Sequence, residues 1–220
     1  GWGVVDAGGR PKSAWYGLRR ASAPLAVHLT DEGLNGLGIS AINDGAEAFE
    51  GKLEVTLWKD GAVRVGLGTS PVSVPAHGSL SRNVVDVLGD FLDVNHAYRF
   101  GPPVADLVAV RLLDADGQER AQDRFVVGLL PRDVDPALRI SASLGRAAND
   151  GHWRLTVEAN RVALFVHSAL PGYRLEDEYF CLLPGETREI IAIPLEGTKS
   201  APAGEIRAVN LARSAPVTAA

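Results

Sequence analysis

The chain has 220 residues, of which 46% are hydrophobic, and a formal net charge of −5 at pH 7. This length suits one large domain or two of about 100 residues each, and the apolar content excludes a disordered chain. The 22 basic residues are dispersed, so the acidic balance predicts neither a nucleic-acid nor a membrane partner, and the single cysteine excludes an intrachain disulfide.

The N-terminus predicts neither a signal peptide nor a membrane span. The opening sequence GWGVVDAGG lacks the basic and apolar regions of a secretory signal. No apolar run approaches the roughly 20 residues that a bilayer-spanning helix requires. The chain begins with Gly1 and contains no methionine, so we expect an excised fragment of a longer protein.

Residues 10–20 form the only predicted helix. Pro11 suits a first-turn position, and Ala14, Trp15 and Leu18 recur at helical spacing. About eleven residues are too few for an isolated helix to be stable in water. We therefore expect the Trp15 side of this helix to dock on the first β-module described below or on another copy of the chain.

After Pro24 the apolar pattern changes to a period of two, which is typical of strands. Turn signals such as Asn43-Asp44-Gly45 separate the apolar runs, and residues 114–117 are predicted as a hairpin turn. The predicted strands of this first module cover residues 25–29, 37–41, 53–57, 63–67, 72–74, 79–87, 106–113 and 119–127.

Residues 131–136 are predicted to be a linker, because two prolines and alternating charges interrupt the apolar pattern there. A second series of strands follows, in which residues 158–161 are predicted to make a tight hairpin turn. Residues 214–220 are predicted to be frayed. The predicted strands of this second module cover residues 138–144, 153–159, 162–167, 179–182, 187–194 and 205–211.

These patterns predict an all-β chain with two immunoglobulin-like β-sandwiches in tandem, preceded by one short helix. The predicted parts are residues 1–24 with the helix, 25–130 as the first sandwich, 131–136 as the linker and 137–220 as the second sandwich. The chain lacks the two cysteines of antibody domains, so neither sandwich is of the antibody type.

No residue pattern predicts a catalytic centre, a metal site or a cofactor. The five histidines lack the spacing of metal ligands and have no cysteine partners. Cys181 lies between Phe180 and Leu182, where a thiol acts as a small apolar group. Asp177 and Glu178 are adjacent on an extended segment, so they point to opposite faces and do not flank one bond as two catalytic carboxylates must.

Aromatic residues are the other groups with which a sandwich could recognise a sugar, by stacking on its ring. Trp58 is predicted to face outward and is the candidate, with packing against a sandwich edge or a neighbouring domain as its alternative role. Trp153 is predicted to fill the core of the second sandwich. Phe165 and His167 form a partly apolar outer face that is suited to docking on another domain.

Two segments resemble motifs of glycoside hydrolase family 2 β-mannosidase-like enzymes. The opening segment resembles the stretch that closes the catalytic barrel with its last helix, and the sequence DEYFCLLPGE resembles a motif of the last domain. The matching residues are Trp2, Asp6, Gly9, Arg10, Lys12, Tyr16, Ala23 and Pro24 in the first segment and Asp177, Tyr179, Phe180, Leu182, Leu183, Pro184, Gly185 and Glu186 in the second. Glu178 and Cys181 replace an asparagine and an aspartate of the family, which favours a relative with another specificity.

The resemblance implies a retaining hydrolase whose catalytic barrel precedes two C-terminal sandwiches. Its two catalytic glutamates would lie upstream of Gly1, so no catalytic residue falls in this chain, and the barrel of the same parent is the implied partner. Position in the parent makes Trp2 a candidate for sugar contact. The sequence thus favours noncatalytic accessory domains of an enzyme that hydrolyses β-mannosidic or related bonds.

Two alternatives stay open. A carbohydrate-binding module is favoured if Trp58 and another aromatic ring are coplanar and exposed. An immunoglobulin-like adhesion or scaffold module is favoured if the helix packs onto the first sandwich as an integral part.

Overall fold

The computed structural model describes residues 2–128, 134–148 and 151–219. The chain divides into two compact units. The N-terminal sandwich unit comprises Arg19–Leu130, and the C-terminal unit comprises Pro131–Ala220 together with Gly1–Leu18. The predicted fold class, all-β with immunoglobulin-like sandwiches and a short leading helix, is confirmed.

The N-terminal sandwich unit packs two antiparallel sheets face to face. One sheet has the order β1-β2-β5 and the other the order β4-β3-β6-β7. Val27, Ile39, Val55 and Val110 are among the buried side chains that fill the space between the sheets. The elements are β1 (Leu25–Asp31), β2 (Leu37–Asn43), β3 (Phe49–Lys59), β4 (Val63–Val74), β5 (Gly78–Asn83), α2 (Val84–Leu88), β6 (Leu107–Leu113) and β7 (Glu119–Val126). The helix α1 (Ser13–Ala21) comes before them in the chain, and its residues up to Leu18 belong to the C-terminal unit.

The C-terminal unit contains a second sandwich, with sheet orders β11-β13-β9-β8-β16 and β12-β10-β14-β15. All its strand pairs are antiparallel except β16 with β8. Leu155, Val166, Leu182 and Ile206 belong to its core. The strands are β8 (Ile140–Arg146), β9 (Trp153–Ala159), β10 (Ala163–Ala169), β11 (Tyr173–Leu175), β12 (Phe180–Leu182), β13 (Thr187–Pro194), β14 (Glu205–Arg207), β15 (Ala215–Pro216) and β16 (Thr218–Ala219).

The structure corrects two strand predictions in the N-terminal sandwich unit. The separate runs 63–67 and 72–74 form one long strand, β4. The run 79–87 ends as a strand at Asn83, because the side chain of Asn83 accepts the Val85 N–H at 3.2 Å and caps α2. The hairpin turn at residues 114–117 is confirmed, with a Gly117 N–H···O=C Asp114 bond of 3.0 Å.

Three predictions for the second sandwich are wrong. The predicted strand 205–211 ends at Arg207. Residues 158–161 do not make a hairpin turn, because β9 and β10 lie in different sheets and the chain crosses between them. Residues 214–219 are not frayed, since β15 pairs with β14 and β16 pairs with β8. Without β16, β8 would be a sheet edge with unpaired backbone groups, which readily accept another strand.

The predicted linker lies partly outside the described residues, which resume at Val134. Asp135 is bound to the second sandwich: its N–H donates to the Asn210 carbonyl at 2.8 Å, and its carboxylate lies 2.6 Å from Arg161 Nε. Burial raises the pKa of Asp135, but the Arg161 and Ala137 hydrogen bonds outweigh it and hold that pKa below its ordinary value.

None of the helices in the described parts of the chain is long and apolar enough to cross a membrane.

Candidate functional site

The N-terminal segment begins with a tight loop that Asp6 organises. Asp6 Oδ1 accepts the N–H groups of Gly8 at 2.8 Å and Arg10 at 2.9 Å, and the Arg10 hydrogen bond is the main reason that the pKa of Asp6 is lowered. Gly9 adopts a φ of +77°, which glycine reaches without steric cost. Three residues of the first family motif therefore shape this loop.

The loop delays the start of α1. Pro11 forms an antiparallel bridge with Val5, so it lies in the loop instead of the first helical turn, and the helix begins at Ser13. The Lys12 N–H donates to the Val4 carbonyl at 2.9 Å, and the Lys12 carbonyl accepts the Trp15 N–H at 2.9 Å. The loop thus sets the position from which the helix leaves.

Tyr16 anchors this helix to the C-terminal sandwich. Its side chain is only 1% exposed, and its ring centroid lies 6.0 Å from that of Tyr179. Tyr179 in turn stacks on His167, with centroids 5.0 Å apart and planes at 11°. The Tyr16 hydroxyl donates to the Leu175 carbonyl at 3.3 Å, across 159 residues of sequence. We call Tyr16, His167, Leu175, Glu178 and Tyr179 the docking cluster.

The predicted docking partner of the helix was wrong. The helix was expected to dock through its Trp15 side on the first sandwich or on another copy, whereas Tyr16 is its buried residue and packs within the C-terminal unit. Trp15 is half-buried and packs edge-on against Tyr16, with centroids 4.9 Å apart. The outer face containing His167, which the sequence marked as a docking surface, belongs to this contact.

Glu178 places a negative charge inside the docking cluster. Its carboxylate accepts the Ser168 N–H at 2.7 Å and the Ser168 hydroxyl at 2.5 Å. Burial is the largest cause that raises the pKa of Tyr16, and the charge and hydrogen bond of Glu178 raise it further. Burial and then Glu178 also raise the pKa of Tyr179. Both phenols therefore stay protonated at neutral pH, and the Tyr16 hydroxyl remains a donor.

An ion pair holds the segment that carries Tyr179. Arg188 donates to the Asp177 carboxylate at 2.5 Å, and its guanidinium lies 4.5 Å above the centre of the buried Phe180 ring. The Tyr179 N–H donates to the Val166 carbonyl at 2.6 Å, and Tyr179 adopts a φ of +58°, which is uncommon for a residue other than glycine. The backbone here is held in an unusual conformation that supports the Tyr179 contact.

The rest of the second motif is a β-turn. The Glu186 N–H donates to the Leu183 carbonyl at 3.0 Å, and Glu186 Oε2 accepts the Leu183 N–H at 2.8 Å. Pro184 and Gly185 occupy the two central positions, and Gly185 has a φ of +75°. This is the residue order that a type II turn requires.

Three of the four tryptophans lie outside the helix, each in a different setting. Trp2 is fully exposed. Trp58 is half-buried, and its indole N–H donates to Thr56 Oγ1 at 3.0 Å. Trp153 packs against the core of the second sandwich and is partly buried, and the Arg146 guanidinium lies 4.0 Å from the centre of its ring.

The carboxylates of the neighbouring residues Asp177 and Glu178 have different partners. Asp177 is paired with Arg188 and Glu178 with Ser168, so both carboxylates serve the local structure. In the described part of the chain, no three His, Cys, Asp or Glu side chains are grouped so that they could hold a metal ion.

Sequence reasoning missed an aromatic surface in the N-terminal sandwich unit. Phe91, Tyr98 and Phe100 lie on the loop between α2 and β6, and their exposed fractions are 78%, 39% and 86%. Tyr98 and Phe100 have near-parallel rings, at 16° and 6.3 Å, and Phe91 lies 6.1 Å from Tyr98. The signal that could have revealed them is the occurrence of three aromatic residues within one short turn-rich stretch. Their spacing matches neither the period of a helix nor that of a strand.

Comparison with known proteins supports the resemblance. Residues 134–214 match the mannosidase Ig-fold domain family, Ig_mannosidase. The β-D-mannosidase of Dictyoglomus thermophilum is similar in structure, with a TM-score of 0.72 and 19% identity over 96% of this chain and 24% of that one. The Amycolatopsis orientalis exo-chitosanase CsxA has a TM-score of 0.68 and 19% identity over 98% of this chain and 29% of that one.

The chain therefore spans about a quarter of the length of these two enzymes. No curated protein sequence shows a significant match to it. The family match confirms the predicted resemblance to a C-terminal, immunoglobulin-like region of mannosidase-type family 2 glycoside hydrolases, and the solved structures share its fold.

Proposed function

We propose that the chain is the noncatalytic C-terminal accessory region of a glycoside hydrolase. In this proposal residues 1–24 are the end of the catalytic barrel, residues 25–130 and 137–220 are accessory sandwiches, and residues 131–136 link them. The second sandwich holds the last barrel helix in place through the docking cluster. The burial of Tyr16 against Tyr179 is the observation that carries the proposal.

The two motifs of the family resemblance support this role, because they meet in space. Tyr16 comes from the segment that resembles the last barrel helix, and Tyr179 comes from the motif of the last domain. Leu175, which accepts the Tyr16 hydroxyl, lies 159 residues away in sequence. A short helix is not stable alone, so a contact that buries its one aromatic anchor is a means of fixing it.

The parent enzyme in this proposal hydrolyses β-mannosidic or related glycosidic bonds with retention, using two glutamates of its barrel. The similarity to a β-D-mannosidase and to an exo-chitosanase favours this class of substrate. The carboxylates of Asp177 and Glu178 are engaged in structural hydrogen bonds, which favours bracing over chemistry for this region.

The coding sequence upstream of Gly1 and the activity of the full-length product test the proposal. We expect a barrel with two glutamates at strand ends, hydrolysis of p-nitrophenyl β-D-mannoside or β-D-glucosaminide by the full-length protein, and no hydrolysis by the 220-residue chain. Tyr16→Ala in the full-length protein is expected to lower its melting temperature and its activity together. A reading frame that starts near Gly1, or hydrolysis by the chain alone, would refute the proposal.

A further inference from the structure

Phe91, Tyr98 and Phe100 form the aromatic surface of the N-terminal sandwich unit. This surface takes no part in the docking cluster. Phe91 and Phe100 are among the most exposed large apolar side chains of the described residues. A contiguous exposed apolar patch on a folded domain marks a binding surface more often than chance. Here the near-parallel Tyr98 and Phe100 rings offer aromatic faces to a ligand.

A cavity of about 600 Å³ lies beside the aromatic surface. Arg99, between Tyr98 and Phe100 in sequence, lines it, and so does Leu34, whose carbonyl accepts the Tyr98 hydroxyl at 3.0 Å. Its lining also includes Asp31 and His96. This volume lies within the range of about 300–1,000 Å³ that is typical of small-ligand sites, and the mixed lining offers both apolar and hydrogen-bonding groups.

The loop that carries these groups is held by its own hydrogen bonds. The Asp93 carboxylate accepts the N–H groups of Ala97 at 2.7 Å and Tyr98 at 3.1 Å. The buried Asn95 donates to Asp31 at 2.7 Å and to the Gly33 carbonyl at 2.8 Å. A loop already ordered in the free protein loses less conformational entropy when it binds a ligand.

The backbone of the same loop is held in an uncommon conformation. His96 and Arg99 have φ values of +57° and +56°, a region that costs about 1–3 kcal/mol for a residue other than glycine. Such conformations persist where the surrounding structure fixes them, and they cluster at binding sites. Both residues line the cavity.

We propose that the aromatic surface and its cavity bind a neutral oligosaccharide. A pyranose ring presents an apolar C–H face, which packs on an aromatic ring, and an edge of hydroxyl groups, which need donors and acceptors. Tyr98 and Phe100 supply the first, and the Asp31 carboxylate, His96 imidazole and Arg99 guanidinium supply the second. The one carboxylate and one guanidinium balance in charge, which favours a neutral ligand over an ionic one.

A glycan fits this site better than a protein surface does, because a flat protein patch would leave the cavity and its polar groups empty. Trp58 is the candidate that the sequence suggests for sugar stacking, but it is half-buried, whereas Phe91 and Phe100 are 78% and 86% exposed and the Phe100 ring is near-parallel to that of Tyr98. The choice of a sugar ligand rests on the proposed glycoside hydrolase context. The site itself does not depend on the docking cluster.

Calorimetric titration of the 220-residue chain tests this inference, with three neutral probes: β-1,4-mannotriose, cellotriose and the β-1,4-linked trimer of N-acetylglucosamine. We expect at least one of the three to bind, and Phe100→Ala to weaken that binding by about tenfold, since loss of one aromatic contact corresponds to about 1.4 kcal/mol. Leu195→Ala, which removes another exposed apolar side chain from the C-terminal unit, is the matched control and should bind like the parent chain.

The inference is overturned if none of the three probes binds, or if Phe100→Ala binds as tightly as Leu195→Ala. It is also overturned if the parent chain self-associates in sedimentation velocity and Phe100→Ala abolishes this, because a second copy would then be the occupant. Circular dichroism of each variant shows whether it folds, and Tyr98→Phe, which keeps the ring and should retain binding, is the second variant. None of these results affects the Tyr16 contact on which the proposed function depends.

Discussion

Replacing Tyr16 with alanine is expected to destabilise the C-terminal unit by about 3–5 kcal/mol. A buried aromatic side chain removes roughly 150–250 Å² from water, which at about 25 cal/mol per Å² corresponds to about 4–6 kcal/mol as an upper estimate. Measured aromatic-to-alanine substitutions in cores give about 3–5 kcal/mol. Tyr16 is 1% exposed, so the full effect applies. Tyr16→Phe keeps the ring and removes the hydroxyl, and should cost only about 1 kcal/mol.

Urea unfolding followed by circular dichroism measures the total change, and amide hydrogen exchange locates it. Exchange should accelerate in residues 13–18 and at Tyr179 if the helix detaches locally. Leu18→Ala is the matched control, since Leu18 lies on the same helix and is 56% exposed, and its effect should stay within about 0.5 kcal/mol. The reasoning fails if Tyr16→Ala and Leu18→Ala have equal effects, or if exchange in residues 13–18 does not change.

Three further expectations follow from the same unit. Gly185→Ala should lower the free energy of unfolding by about 1–2 kcal/mol, because Gly185 has a φ of +75° and an alanine is strained there even though the space around it is open. Gly145 also has open space around it but a negative φ, so Gly145→Ala should not lower the free energy of unfolding. Thermal unfolding of the two variants checks this difference. The pKa of Asp135 is lower in the folded state than its unfolded value of about 3.9. The carboxylate therefore stabilises the fold above about pH 3.9, and this contribution is lost as the pH falls through the folded pKa. Asp135→Asn should make the free energy of unfolding less dependent on pH in the acid range, and an unchanged pH dependence would contradict this. Glu178→Gln should lower the pKa of Tyr16 only part of the way to its ordinary value, because burial, the larger cause of the raised pKa, remains. Tyrosinate absorbance measured against pH reports this change. An unchanged pKa would show that Glu178 is not a cause.

The strand pattern was readable from the sequence because it is local. Alternation at β1, β2, β9 and β13 and the Asp114–Gly117 turn depend on residues close together in the chain. The errors arose where a local signal competed with another. At Asn83 the following Val84 and Val85 indicate a strand by their β-branched side chains, but the side-chain cap of Asn83 and the left-handed Gly89 turn them into α2.

The apolar pattern did not predict which strands pair over long distances in the sequence. Alternation shows which side of a strand is buried but does not name its partner, so the pairing of β16 with β8 could not be foreseen. The helix is a similar case. Its helical spacing favours Trp15 as the docking residue, whereas the buried residue is Tyr16, whose hydroxyl donates to the Leu175 carbonyl across 159 residues of sequence. Whether an aromatic residue with a polar end is buried cannot be predicted until the hydrogen-bond partner of that polar end is known.

The contacts of Glu178 in the docking cluster explain how a glutamate is accommodated where the family motif has an asparagine. An asparagine at this position would be neutral, whereas the glutamate accepts both the backbone N–H and the hydroxyl of Ser168 and adds a charge beside two phenols. A half-buried carboxylate is tolerated only when hydrogen-bond donors surround it. Ser168 supplies two of them here, its N–H and its hydroxyl. The glutamate therefore adds a negative charge that Ser168 holds beside the phenols of Tyr16 and Tyr179, where it adds to the effect of burial in raising the pKa of each.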